Sequence, residues 1–264
     1  MKIRYNLCIL FGLVLLLSAC SGNELSTNSV GDSGAVSWEG MTMIEANAYS
    51  LSNDRKSKYR MDAEKLAVRY INNRDSTQTD IPEALIKLFY NGLIHIVNAD
   101  HPEAQEATDP EYQVHARTPA DPRAITVRVD TTAPWIDAWR DSTTQTDNEE
   151  IDELLNQFDL SLLKYYELES SSLAVAKLQS EYAINGYAVG RLFMQVDDIS
   201  SAGPPVVTDG SNIEVLMFDD HLRYKFNYRF GDCPAGCINE HTWTFNVYVD
   251  GNVEFVSESG NSLP

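Results

Sequence analysis

Between residues 54 and 72 apolar side chains return every three or four positions. They are Tyr59, Ala63, Leu66, Ala67, Tyr70 and Ile71, with Arg60, Asp62, Glu64 and Lys65 between them. A helix turns every 3.6 residues, so this spacing predicts an amphipathic helix from Asp54 to Asn72. A second helix is expected to open at Asp80. There an Asp N-cap, Pro82 in the first turn and Glu83 three residues on meet the free amide donors. Leu85, Leu88, Phe89, Leu93 and Ile96 make its buried stripe, ending near Asn98.

The period changes to two near the C-terminus. Leu222, Tyr224, Phe226, Tyr228 and Phe230 alternate with Arg223, Lys225, Asn227 and Arg229. Trp243, Phe245, Val247 and Val249 alternate with Thr242, Thr244, Asn246 and Tyr248. These are half-buried antiparallel strands. Asp250-Gly251 signals a hairpin into Val253–Val256, and Ile213–Phe218 supplies a preceding strand. The reading is an α+β fold, with N-terminal helices packed on a C-terminal antiparallel β-meander, because an apolar sheet face needs a cover.

The middle is less regular. Residues Ala99–Pro122 hold four prolines and several acids, and read as a long surface loop of the kind that is often functional or mobile. Arg123–Asp130 alternates as a strand. Glu149–Phe158 predicts a short acidic helix. Leu160–Leu168 fits a strand or a helix, and Ser180–Val196 reads as a helix weakened by Gly186 and Gly190.

The N-terminus has another layout. Lys2 and Arg4 precede an apolar run, Leu7–Leu17, and then Leu17-Ser18-Ala19-Cys20. Charged, apolar, then small residues is the order of a secretory signal, and the run is shorter than the ~20 residues a spanning helix needs. The tetrapeptide resembles the lipobox of bacterial lipoproteins. That resemblance implies cleavage before Cys20, lipidation of Cys20 and, with Ser21 following, residence at the outer membrane on its periplasmic or surface face. Residues 1–19 are thus read as signal peptide, 20–36 as lipidated cysteine and flexible Ser/Gly/Asn/Thr tether, and 37–264 as a single α+β domain.

Charge narrows the partners. Asp and Glu number 39 against 20 Lys and Arg, a net charge of −19, and loss of Lys2 and Arg4 with a leader makes it more negative. Such a chain is repelled by nucleic acid and by anionic headgroups. Nucleic acid is therefore not expected as a partner; the membrane is, through the N-terminal lipid, as is a protein or glycan.

Without Cys8 in the leader and Cys20 under lipid, Cys233 and Cys237 remain, in "GDCPAGCINEHTWTF". An oxidising compartment favours a disulfide, and Pro234 and Gly236 suit a tight loop. A metal site on Cys233, Cys237 and His241 is the alternative; it needs a fourth ligand and reduced thiols. The segment Gly231–Cys237, followed by Trp243, resembles a Gly-Asp-Cys-Pro-x-Gly-Cys motif of uncharacterised secreted and lipid-anchored bacterial proteins, as do "DIPEALIKLFYNGLIHI" and "VDTTAPWIDAW". The resemblance implies an extracytoplasmic protein and no particular activity.

Other chemistry is sparse. In "PWIDAW", Trp135, Asp137 and Trp139 share a face if the segment is extended, a possible ligand platform; the alternative is that both tryptophans plug a core edge. His95 reads as a satisfied core histidine, and His101 and His115 fall in the proline-rich loop near Asp100 and Glu103. There is no nucleophile elbow, phosphate loop, dinucleotide fingerprint or EF-hand pattern, so no catalytic residue, cofactor or metal is assigned. The expected function is a non-catalytic interaction or envelope-structure module. A carbohydrate-directed hydrolase working with scattered Asp and Glu side chains is the alternative.

Overall fold

A computed structural model describes residues 34–169, 171–207, 209–233 and 236–264. Cys20, the expected signal segment and nearly all of the expected tether lie outside them. The tether's last residues do not: β1 (Ala35–Trp38) already includes Val36, and pairs with β2 (Met41–Ile44) as an antiparallel hairpin. No helix among the described residues is long and apolar enough to cross a membrane.

The fold is α+β. Helix α1 spans Asn53–Arg74, and its N-cap Ser52 accepts from the Arg55 amide at 3.3 Å. Helix α2 spans Glu83–Asn98. Asp80 does not cap it. Asp80 instead forms an isolated bridge with Ile184, and Pro82 occupies the cap position without a side-chain bond. The backbone there is committed to a strand-like contact, which draws Asp80 away from the helix end.

Both helices cover one face of a four-stranded antiparallel meander: β7 (Asn212–Met217), β8 (His221–Phe230), β9 (Asn239–Tyr248) and β10 (Val253–Gly260), in the order β10-β9-β8-β7. The strands at Leu222, Tyr224, Phe226, Trp243, Phe245 and Val247 meet Leu66, Leu88, Phe89 and Leu93 of the helices in one apolar cluster. Each such buried side chain contributes about 1.5–3 kcal/mol. Approach is closest at Gly92, where a Cβ would run into the Tyr224 ring. The Tyr224 hydroxyl donates to the Phe89 carbonyl at 2.9 Å, so the buried phenol is satisfied. His95, half-buried, bonds the Ile44 carbonyl through Nε2 at 2.9 Å and ties the first hairpin to α2.

A second sheet was not foreseen. The strands β3 (Ala124–Asp130), β4 (Ser161–Glu167), β5 (Leu173–Gln179) and β6 (Ile199–Gly203) pair antiparallel in the order β4-β5-β3-β6. It is covered by α4 (Ile136–Arg140), α5 (Glu149–Gln157) and α6 (Gly186–Phe193), around Ile125, Val127, Trp139, Leu178, Val189 and Phe193. Residues 180–185 are not helical, and α6 begins where Asn185 accepts from the Tyr187 and Ala188 amides. Gly190 costs helix propensity but is required: a Cβ there would lie 2.6 Å from the Ala202 carbonyl oxygen of β6.

The two apolar clusters meet across a polar seam. Glu64 of α1, 1% exposed, accepts from Arg123 through Nε at 2.9 Å and Nη2 at 2.6 Å, and from Arg60 at 3.1 Å. Asn185 donates to the Gln78 carbonyl at 2.7 Å.

The stretch Ala99–Pro122 is not a free surface loop. It contains a short helix, α3 (Pro102–Ala107), and buries Val114 and Ala116. Three α1 side chains clip it down: Arg55 donates to the Thr108 carbonyl at 3.2 Å, Lys65 to the Ala116 carbonyl at 3.0 Å, and Asp62 accepts from the Ala116 amide at 2.8 Å.

Candidate functional site

The Trp135–Asp137–Trp139 platform does not form, because the segment is helical rather than extended. Trp135 precedes α4 in helical conformation, so Trp135 and Trp139 stand one turn apart and pack edge-to-face, centroids 5.1 Å apart. Trp139 is fully buried and donates from Nε1 to the Thr144 carbonyl at 2.9 Å. Asp137 points outward to Arg140, which also bonds Glu167 at 2.9 Å. The tryptophans plug the core of the second sheet. Beside them opens a broad groove of about 1110 Å³, edged by Trp135 and lined by Asp137, Asp141, Asp147, Glu149, Asp197 and Asp198. The acids in the first turn of α5 suit the positive end of its dipole, and Asp152 accepts from the Thr146 and Asp147 amides at 2.7 and 3.0 Å.

Cys233 and Cys237 lie in the β8–β9 connection with sulfurs at disulfide distance and Cα atoms 3.9 Å apart. Asp209 holds this connection from the far side. Its Oδ2 accepts from the Cys237 amide at 2.8 Å, its Oδ1 from the Gly210 amide at 2.9 Å, and it pairs with Arg229. The Cys237 N–H, above all, holds the Asp209 carboxyl below its ordinary value. His241 is not brought to the cysteines. Its Nδ1 bonds the Asn261 carbonyl at 2.8 Å and its ring packs on Trp243 at 4.5 Å. The alternation of β9 sends His241 toward the end of β10, so Cys233, Cys237 and His241 do not form a ligand set. Among the described residues no group of three His, Cys, Asp or Glu side chains is arranged to hold a metal ion.

The two histidines of the proline-rich stretch are separated. His101 pairs with Glu103 and packs at a tilt against Phe255, ring centroids 5.6 Å apart. His115 belongs to a site that the sequence reading missed. One face of α1 carries Arg55, Lys58, Tyr59 and Asp62 at helical spacing. Asp62 is 1% exposed, and its Oδ2 takes a hydrogen bond from His115 Nδ1 at 2.7 Å. With that proton held on Nδ1, Nε2 is the free ring nitrogen. It has no hydrogen-bond partner among the described residues, and the side chain is 34% exposed. The ring lines a recess of about 80 Å³ between α1 and residues 107–115, floored by Ala107 and Val114. Burial pushes the Tyr59 hydroxyl up from its ordinary value, so it stays a neutral donor. A signal for this site existed: Asp62 falls on the apolar side of α1, between Tyr59 and Leu66, and a buried carboxylate demands partners.

No family model, no curated protein and no solved structure matches the chain.

Proposed function

We propose that the chain is a lipid-anchored extracytoplasmic bacterial protein, held at the outer membrane through Cys20, that works as a non-catalytic interaction module for a protein or glycan partner. The observation that carries the reading is the open face of the β7–β10 sheet. Helices cover one face. On the other, Arg223, Lys225, Asn227 and Arg229 of β8 run beside Thr242 and Glu240 of β9, while Asn246 and Thr244, paired with Arg223 and Lys225, are buried. A depression of about 630 Å³ runs across it, with Glu214 opposite Lys225. Mixed charges and amide groups on a rigid strand lattice suit polar recognition. The lipobox, the Gly-Asp-Cys-Pro-x-Gly-Cys resemblance and a cysteine pair at bonding distance support the compartment.

Two measurements test the reading. Cys20→Ser should release the protein from membranes or leave an unprocessed precursor; a chain that stays soluble and unlipidated with Cys20 intact would end the anchor proposal. A photocrosslinker at Lys225 in native envelopes should capture one defined partner, while the same probe at Asp137 should not. Capture from Asp137 instead would move the binding face to the acidic groove.

That groove supports a second reading, a carbohydrate-directed hydrolase, because carboxylates are concentrated around it beside Trp135. Polysaccharide cleavage abolished by both Asp137→Asn and Asp197→Asn would favour it over the interaction module.

A further inference from the structure

We propose that the recess between α1 and residues 107–115 binds a tetrahedral oxyanion, the phosphate group of inorganic phosphate or of a phosphate monoester. Size comes first. About 80 Å³ is the space of roughly two to three waters, room for one such group and not for a nucleotide. Charge comes next. On a chain of net charge −19, this recess gathers two cations, Arg55 and Lys58, and an imidazole. The one acid lining it is Asp109, whose Oδ1 is already engaged by the Glu111 amide at 2.8 Å. Screening over about 8 Å makes the local arrangement, not the distant acids, decide what enters.

The donors are also held in place. Arg55 Nη2 donates to the Thr108 carbonyl at 3.2 Å and reaches the Tyr59 hydroxyl at 3.4 Å. This fixes the guanidinium at the rim, while Nε and Nη1 keep no partner among the described residues; each can give a single charge-assisted hydrogen bond to an anion's oxygen. Tyr59 accepts there, which leaves its O–H to donate inward. Lys58, 55% exposed and paired with Asp54 at 2.9 Å, adds a mobile charge at the mouth. His115 faces them from the other wall, oriented by the buried Asp62. Its Nε2 accepts from a protonated phosphate oxygen when neutral, and donates when charged. A purely structural Asp–His pair needs neither the Arg55 guanidinium nor the Tyr59 hydroxyl on the same recess.

The test is calorimetric titration of the full chain with inorganic phosphate and, in a separate arm, with O-phosphoserine, at constant ionic strength. Saturable one-to-one binding is expected. Arg55→Gln should weaken it about 10- to 100-fold, the range for a charged hydrogen bond. Arg55→Lys, which keeps charge and loses the fixed guanidinium donors, should fall between, and His115→Gln should cost about tenfold. Lys164→Gln removes one exposed positive charge from β4, in the other sheet, and should change nothing. In the unaltered chain, phosphate should shift the His115 ring resonances, which keeps the proposal testable even if a variant fails to fold. Tighter binding of O-phosphoserine assigns a monoester; equal or weaker binding assigns the free anion. The proposal is overturned by the absence of saturable binding in both arms, by unmoved His115 resonances, or by a loss in Lys164→Gln equal to that in Arg55→Gln.

Discussion

Asp62 Oδ2 stands 2.7 Å from His115 Nδ1, across 53 residues of chain, while its Oδ1 takes the Ala116 amide at 2.8 Å. One buried carboxylate therefore fixes both a backbone segment and a ring orientation. Asp62→Ala would leave the Ala116 N–H buried and unpaired, and should destabilise the fold by about 2–4 kcal/mol in urea denaturation, combining two lost bonds with a desolvated donor. Asp62→Asn keeps an acceptor for Ala116 but can turn its NH₂ on His115. It should cost less and move the imidazole proton to Nε2, read from ¹⁵N shifts of the ring. Equal stability of Asp62→Ala and the unaltered chain would show that Ala116 finds another partner.

The same clips govern proteolysis. Segment 108–116 is tied to α1 through Arg55, Asp62 and Lys65 and buries Val114 and Ala116. Limited digestion should spare it, although Pro110 and its neighbouring acids mark it in the sequence as a nicking site. Early cleavage between 108 and 116 in the native protein would show that the clips open readily.

What the sequence revealed and what it hid have a common cause. The helices α1 and α2 and the meander each bury one face, so period 3.6 or period 2 is written in their residues. Strand β5, "LAVAKLQ", buries Ala174, Val175, Ala176 and Leu178 on both sides, so it carries no alternation to find. Helix α6 is shorter than its sequence suggests because residues 180–185 bond elsewhere, the Ser180 amide to the Arg123 carbonyl at 2.8 Å and the Ile184 amide to the Pro122 carbonyl at 3.0 Å. "PWIDAW" is ambiguous between i,i+2 and i,i+4 spacing, and Pro134 at the opening of a helical turn decided for the second. Asp62 and Glu64 read as ordinary polar positions of α1. Their partners lie 53 and 59 residues away, and no local pattern encodes a partner at that distance.

The seam bears on whether residues 37–264 unfold as one. Glu64 is buried while Arg60 and Arg123 keep about a third of their side chains exposed. Glu64→Gln frees two arginines that water can partly solvate, so a loss of about 1–3 kcal/mol is expected, below that for a fully buried pair. In the unaltered chain, amide exchange should lose protection in β3, β5, β8 and β9 at one common free energy. If the sheet around β5 opens separately from the meander, the chain holds two units and the single-domain proposal falls.

The β8–β9 connection gives the last test. Cys233 and Cys237 should be oxidised in the mature protein, so non-reduced mass spectrometry should show no free thiol at either; two free thiols would reverse the assignment. Replacing both by serine should lower stability by about 2 kcal/mol, the chain-entropy value for so short a ring. Asp209 provides an independent anchor, and its pH dependence has a defined sign. Its folded carboxyl lies below the ordinary value of 3.8 because the Cys237 and Gly210 amides favour the ionised form. The anchor's contribution is therefore complete above that value and is lost as pH falls through the lower folded value. The Cys237 amide should stay protected from exchange at neutral pH and lose protection only below about pH 4, whether or not the disulfide is present. In Asp209→Asn that acid transition should vanish. If the double serine variant loses Cys237-position protection at neutral pH while Asp209 is intact, the sulfur link, and not the carboxylate, holds the connection in place.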